Sequence, residues 1–109
     1  AHLHEVPVHV LFCSRGDLVE MPLFEQASAY GSIIPAAWSF MLAARARGLG
    51  CCWTTVHLKD AAAAAEVVSL PNGITQTALL PVAYYKGDDF KLAERLPLND
   101  VVHWNSWGS

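Results

Sequence analysis

The sequence predicts an α+β domain. Three observations carry that prediction. Strand-like and helix-like stretches follow one another in the order strand, helix, strand, helix, strand, tail, which describes helices packed on a sheet. One stretch, Thr75–Tyr85 (TQTALLPVAYY), is long and apolar enough to sit at the centre of a sheet. Hydrophobic residues make up 53% of the 109 residues and charged ones only 16%, the reverse of what a disordered chain needs.

Taken in order, His4–Phe12 (HEVPVHVLF) is Val-rich and loosely alternating, and reads as a strand, with Pro7 placing it at a strand start or near an edge. Ser14–Asp17 (SRGD) reads as a turn. Its Arg-Gly-Asp triplet follows from the turn preference of Gly and Asp and implies no adhesion role. Leu23–Tyr30 reads as a short helix or mobile segment that Tyr30–Ser32 ends. Ser32 is then the N-cap of a second helix, Ile33–Arg47 (IIPAAWSFMLAARAR). In that helix Pro35 falls in the first turn, Arg45 and Arg47 in the last, and Gly48 follows as the helix-ending glycine.

Cys51–Val56 (CCWTTV) is β-branched and aromatic and reads as extended. Asp60 caps a helix over Ala61–Ser69, Pro71-Asn72-Gly73 turns the chain, and the long strand follows. Lys86–Asp89 (KGDD) is a turn, Lys91–Pro97 a polar connector, and Leu98–Trp104 a short strand or extended tail.

The bulk properties also exclude function classes. Net charge is −3 with a pI near 5.9 and no basic stripe, so nucleic acid is not an expected partner. No uninterrupted apolar run approaches the ~20 residues that span a bilayer, so no membrane role is expected. Three cysteines, two of them adjacent (Cys13, Cys51, Cys52), make no disulfide framework and read as free thiols. His2 and His4 share a strand face but lack a third ligand, so no metal site is expected. His57 and His103 have no nucleophile beside them in the sequence that would make a catalytic pair. Trp104 and Trp107 fit a partner subunit or the core equally well. The apolar excess is large for so small a domain. It points either to oligomerisation or to apolar surface covered by further sequence. A chain that starts at Ala1, with a strand almost at once, is expected to be part of something longer.

At Ala36–Thr55 (AAWSFMLAARARGLGCCWTT) the sequence resembles the nitroreductase family: a helix A-x-x-x-x-L-A-A-R-x-x-G-L-G followed at once by a small residue, Trp and a polar pair. Leu70–Tyr85 resembles that family's turn and central strand, and Leu92–Trp104 its closing stretch, in which a basic residue precedes Leu-Pro-Leu. The resemblance runs from about Val6 to Trp104 and implies the C-terminal half of a nitroreductase-like domain, a mixed sheet flanked by helices. It implies a cytoplasmic homodimer that binds FMN at the subunit interface. Such an enzyme takes hydride from NADH or NADPH and passes electrons to a small-molecule acceptor, a nitroaromatic, quinone or similar compound. One substrate leaves before the next binds. The family's Arg/Ser-rich segment for the FMN phosphate and ribityl chain has no match in this sequence.

The resemblance assigns Trp53, Thr54 and Thr55 to the flavin ring, with the backbone N–H of Thr54 or Thr55 nearest its reactive nitrogen. A ring site needs a flat apolar shelf and such a donor. An extended backbone after Gly-Leu-Gly provides both, and an ordinary buried strand is the other reading of the same residues. Relatives often carry Gly-Gly, or an acidic residue with Gly, where Thr54-Thr55 stands. The resemblance assigns the phosphate to Arg95, whose guanidinium suits a phosphate monoester, with Lys91 as a second cation. Relatives have another Lys or Arg where Ala93 and Glu94 stand, and a solvated Arg95 paired with Glu94 or Asp89 is the alternative. No residue is expected to act as an obligatory acid or base, because the cofactor performs the hard step. A non-catalytic flavin-binding or interaction module of the same fold is the competing function.

Overall fold

In the computed structural model, residues 2–87 and 89–108 are described. Asp88, within the expected Lys86–Asp89 turn, lies outside them. The architecture is α+β. Three strands, β1 (Val8–Arg15), β2 (Leu49–Cys51) and β3 (Ile74–Tyr84), form one sheet in the order β1-β3-β2, with the long apolar strand at its centre as its sequence predicts. Both pairings are antiparallel, so a mixed sheet is not seen among these strands. Two helices complete the unit, α1 (Leu23–Arg45) and α2 (Ala61–Val67).

α1 corrects the expected break at Tyr30–Ser32. It runs unbroken for 23 residues, with Pro35 in its interior rather than its first turn and Ser32 inside it rather than capping it. Pro35 removes one hydrogen bond, to the Gly31 carbonyl four residues back. Packing of Ala37, Phe40 and Met41 against Leu80 and Val82 sets a single helix across that weak point. α1 is the one helix among the described residues long and apolar enough to cross a membrane by length and composition. Of its residues only Ala37 and Ala44 are buried, and Ala37 packs against Leu80 and Val82 of the sheet.

Other boundaries shift for local reasons. β1 begins at Val8 and continues through Arg15, because His2–Glu5 is tied into a single 3₁₀ turn by the Glu5 N–H to His2 carbonyl bond (3.0 Å). His2 and His4 therefore share no strand face, and both lie beside Glu5. The turn after β1 comes at Gly16 (φ +100°), whose N–H donates to the Gly73 carbonyl at 2.7 Å. Asp60 caps α2 as expected, its carboxylate accepting the Ala63 N–H at 3.1 Å, and the helix stops two residues early, at Val67. Leu98–Asp100 is a 3₁₀ turn rather than a strand, and among the described residues no strand pairs with the tail.

The core lies between α1 and one face of the sheet: Ala37, Leu80 and Val82 at its centre, with Val10, Phe12, Phe40 and Trp53 packed around them. Between Phe12 and Cys13 the β1–β3 register shifts, leaving Thr77 without a counterpart. This core is thin for the chain. The accessible surface is 8769 Å², whereas a compact monomer of this mass exposes about 6,000 Å². The radius of gyration is 17.2 Å against about 13 Å for a compact domain of this length.

Candidate functional site

The Cys51–Thr55 stretch leaves the sheet edge and returns to it, and a proline explains its shape. β2 pairs with β3 through Leu49↔Tyr84, Gly50↔Ala83 and Cys51↔Val82, and Thr54↔Leu79 continues the same register three residues later. Between these pairings stands Pro81, which has no N–H to donate. The Cys52 N–H still reaches the Pro81 carbonyl at 3.4 Å, but nothing returns from Pro81. The chain leaves the ladder over Cys52–Trp53 and is caught again by two bonds, Thr54 N–H to Leu79 carbonyl (3.0 Å) and Leu79 N–H to Thr54 carbonyl (2.9 Å). Trp53 lies half-buried against the core.

This geometry separates the two candidate donors. The Thr54 N–H is committed to the sheet, and the Thr54 hydroxyl accepts the Val56 N–H at 3.2 Å. The Thr55 N–H has no hydrogen-bond partner among the described residues, while its carbonyl takes the Leu58 N–H at 3.0 Å. Thr55 is thus a backbone donor held in place from both sides and open at its own N–H.

The two glycines before this stretch do different things, and only the helix-ending role of Gly48 was expected. Gly48 turns the chain out of α1 with φ +75°. Gly50 lets the Tyr85 ring lie on the backbone: a Cβ there would sit 2.8 Å from Tyr85 Cδ1. Tyr85 receives a hydrogen bond from Arg45, whose guanidinium lies 4.9 Å from the Tyr85 ring centre and 4.5 Å from that of Phe90. With Trp38, Met41 and Leu42 these residues line an apolar groove of about 420 Å³. Sequence reading saw Arg45 only as a helix-end cation. Its aromatic partners lie 40 and 45 positions away, where no local pattern points to them.

Arg95 and Lys91 are placed elsewhere. Both stand on an exposed, irregular segment, and Arg95 donates to the neighbouring Glu94 carbonyl at 3.2 Å. Among the described residues no hydrogen bond or ion pair joins either cation to Trp53–Thr55, and Arg95 forms no salt bridge with Glu94 or Asp89. Trp104 and Trp107 are exposed, so core packing within this chain does not account for them.

On the other side of the sheet, His57 and Gln76 meet at a smaller cavity of about 310 Å³. Burial holds the His57 pKa below its usual value. Burial likewise pushes the Cys13 and Cys51 thiols up, Cys51 with a smaller contribution from Cys52. Free thiols raised in this way are poor nucleophiles at neutral pH. The described residues include no group of His, Cys, Asp and Glu suited to a metal ion.

Comparison with known families adds the deciding observation: the nitroreductase family model matches residues 4–84. The chain belongs to the nitroreductase family. The match takes in α1, the Gly48–Thr55 stretch and the whole of β3, and so supports an oxidoreductase of a flavin-dependent class. It ends before Lys91 and Arg95, leaving those two outside the matched region. No curated protein matches the chain.

Proposed function

We propose that this member of the nitroreductase family is an FMN-dependent NAD(P)H oxidoreductase acting on nitroaromatics, quinones or similar acceptors. The observation that carries this reading is the Trp53–Thr55 stretch: an aromatic residue half-buried against the core, followed by an unpaired backbone donor, the Thr55 N–H, next to the Thr54–Leu79 pair. A donor held rigidly at a flavin edge tunes the cofactor without moving during turnover. The chemistry supplied by FMN when bound is acceptance of hydride from NADH or NADPH and its onward transfer as electrons to the acceptor. Trp53 would give the ring its apolar wall, and Thr55 N–H would meet the ring edge. Arg95, with Lys91 four residues earlier as a second cation, would hold the phosphate from an exposed segment.

The remaining walls of the site belong, in this reading, to a second copy of the chain or to further sequence of the same domain. The surface excess of about 2,800 Å² over a compact monomer supports this, because obligate subunit interfaces bury areas of that order. Cytoplasmic location fits the three free cysteines.

The test is spectroscopic. The protein, with any sequence its gene encodes on either side of these residues, is expected to purify yellow or to take up added FMN, with absorbance near ~450 nm that NADPH bleaches without oxygen. A protein that stays colourless with excess FMN overturns the reading. Bound flavin that NADPH leaves oxidised replaces the enzyme with a flavin-binding module. Arg95→Ala is expected to weaken FMN retention by roughly 1–3 kcal/mol, the scale of a charge-assisted hydrogen bond.

A further inference from the structure

The groove at the end of α1 holds one charged group among its apolar walls, and that group ties two distant parts of the chain together. After β3 the chain runs through residues 86–96, where no backbone hydrogen bond among the described residues joins it to the sheet or to a helix. This irregular segment carries Lys91 and Arg95, both exposed. Side chains anchor it instead. Arg45, in the last turn of α1, donates to the Tyr85 hydroxyl, and its guanidinium carbon stands 4.9 Å from the Tyr85 ring centre and 4.5 Å from that of Phe90. The two rings meet edge to face, with centres 5.2 Å apart and planes at 77°. Each of the three side chains is therefore in contact with the other two. Gly50 makes room for the clamp, because it has no Cβ to strike the Tyr85 ring.

We propose that Arg45 is a positioning residue for the flavin phosphate. It holds Phe90 against the end of α1, and Phe90 is bonded directly to Lys91, with Arg95 four residues beyond. The clamp also borders Gly50 and Cys51, which lead into Trp53. Two residues span at most about 7 Å, so the anchored end of the cation segment starts beside the proposed ring wall. Without the clamp, residues 86–96 would sample many arrangements, and few of them bring both cations to one anion. Affinity then falls by the fraction of molecules in the competent arrangement. A guanidinium suits this task because it stacks on aromatic faces and donates a hydrogen bond at the same time. Arg45 does this without touching phosphate. The inference rests on the reading of Lys91 and Arg95 as the phosphate's cations and adds the group that keeps them in place.

The protein, with any flanking sequence its gene encodes, is titrated with FMN and with riboflavin, which keeps the ring and lacks the phosphate, following flavin fluorescence. Arg45→Met is expected to raise the FMN Kd roughly tenfold, the scale of losing two exposed cation–π contacts and a hydrogen bond, and to leave the riboflavin Kd unchanged. Arg45→Lys, which keeps the charge without the planar fork, should recover part of the loss. In a Lys91→Ala/Arg95→Ala background, Arg45→Met should add nothing further. Thermal melts report folding, and Phe90→Ala, 57% exposed and outside every helix and strand, makes the same test should Arg45→Met unfold. If the Lys91→Ala/Arg95→Ala variant keeps the wild-type preference for FMN, or the protein takes up neither flavin, the phosphate reading fails and the proposal with it. If that variant loses the preference, three results overturn the role of Arg45 alone. These are wild-type FMN affinity in folded Arg45→Met or Phe90→Ala, an equal loss for riboflavin, and an undiminished Arg45→Met effect in the Lys91→Ala/Arg95→Ala background.

Discussion

Replacing Trp38 with serine tests the proposed subunit contact most sharply, because the two answers differ by orders of magnitude. Trp38 is 57% exposed and shares a stripe of α1 with Ile34 (43%) and Leu42 (53%), spaced four residues apart. A Trp side chain offers up to ~250 Å², so about 140 Å² of it waits to be covered. At about 25 cal/mol per Å² that is roughly 3.5 kcal/mol per chain. A symmetric dimer contains the substitution twice, so Trp38→Ser should cost up to about 7 kcal/mol of association, a rise in Kd approaching ~10⁵-fold. The same change on a free monomer surface should alter folding stability by no more than about half a kcal/mol. Sedimentation equilibrium across about a hundredfold range of concentration, beside thermal melts of both proteins, separates these cases. A wild-type chain that stays monomeric throughout, or a Trp38→Ser variant that dimerises as tightly as wild type, would refute the reasoning.

Other expectations are more local. Gly48→Ala meets no atom within 4 Å but must adopt φ +75°, so it should cost about 1–2 kcal/mol purely as backbone strain, read as a shift in urea midpoint. Leu80→Ala removes a fully buried side chain from the centre of β3 and should destabilise by about 2–5 kcal/mol in the same assay. His57 binds its proton less readily when folded than when unfolded. Stability should therefore be unaffected above the ordinary histidine value of about 6.5 and decline as pH falls from there through the lowered folded value. Urea midpoints at neutral and mildly acidic pH should show a gentler decline for His57→Phe than for wild type, and parallel declines would contradict this.

What the sequence made legible was local. Asp60 as a cap, Gly48 as a helix-ending turn and Thr75–Tyr85 as a central strand each depend on residues within a few positions, and each is found with small changes of boundary. The unbroken α1 was not legible. Gly31 and Pro35 argue for a break, and only packing on β3, some forty residues further along the chain, overrides them. Within the site, Gly-Leu-Gly marked the stretch but could not choose between the Thr54 and Thr55 donors. That choice depends on Leu79 and on the donor missing from Pro81. The pairing of Arg45 with Tyr85 and Phe90, and the unsatisfied atoms of His57 and Gln76, arise from three-dimensional neighbours that leave no periodic trace.

The unmatched Thr77 has a consequence for the whole strand. Side chains along β3 point alternately to the two faces, and Ala78, Leu80 and Val82 keep one phase toward α1. Strict alternation would send Gln76 the same way, burying an amide among hydrocarbon. Because Gln76 is registered with Cys13 rather than Ser14, the phase reverses at Thr77, and the amide emerges on the opposite face with Leu79. One additional residue thus keeps an amide out of the hydrocarbon core on the inner face and places it on the other side of the same strand. Deleting Thr77 would put the two faces out of step along the start of the strand.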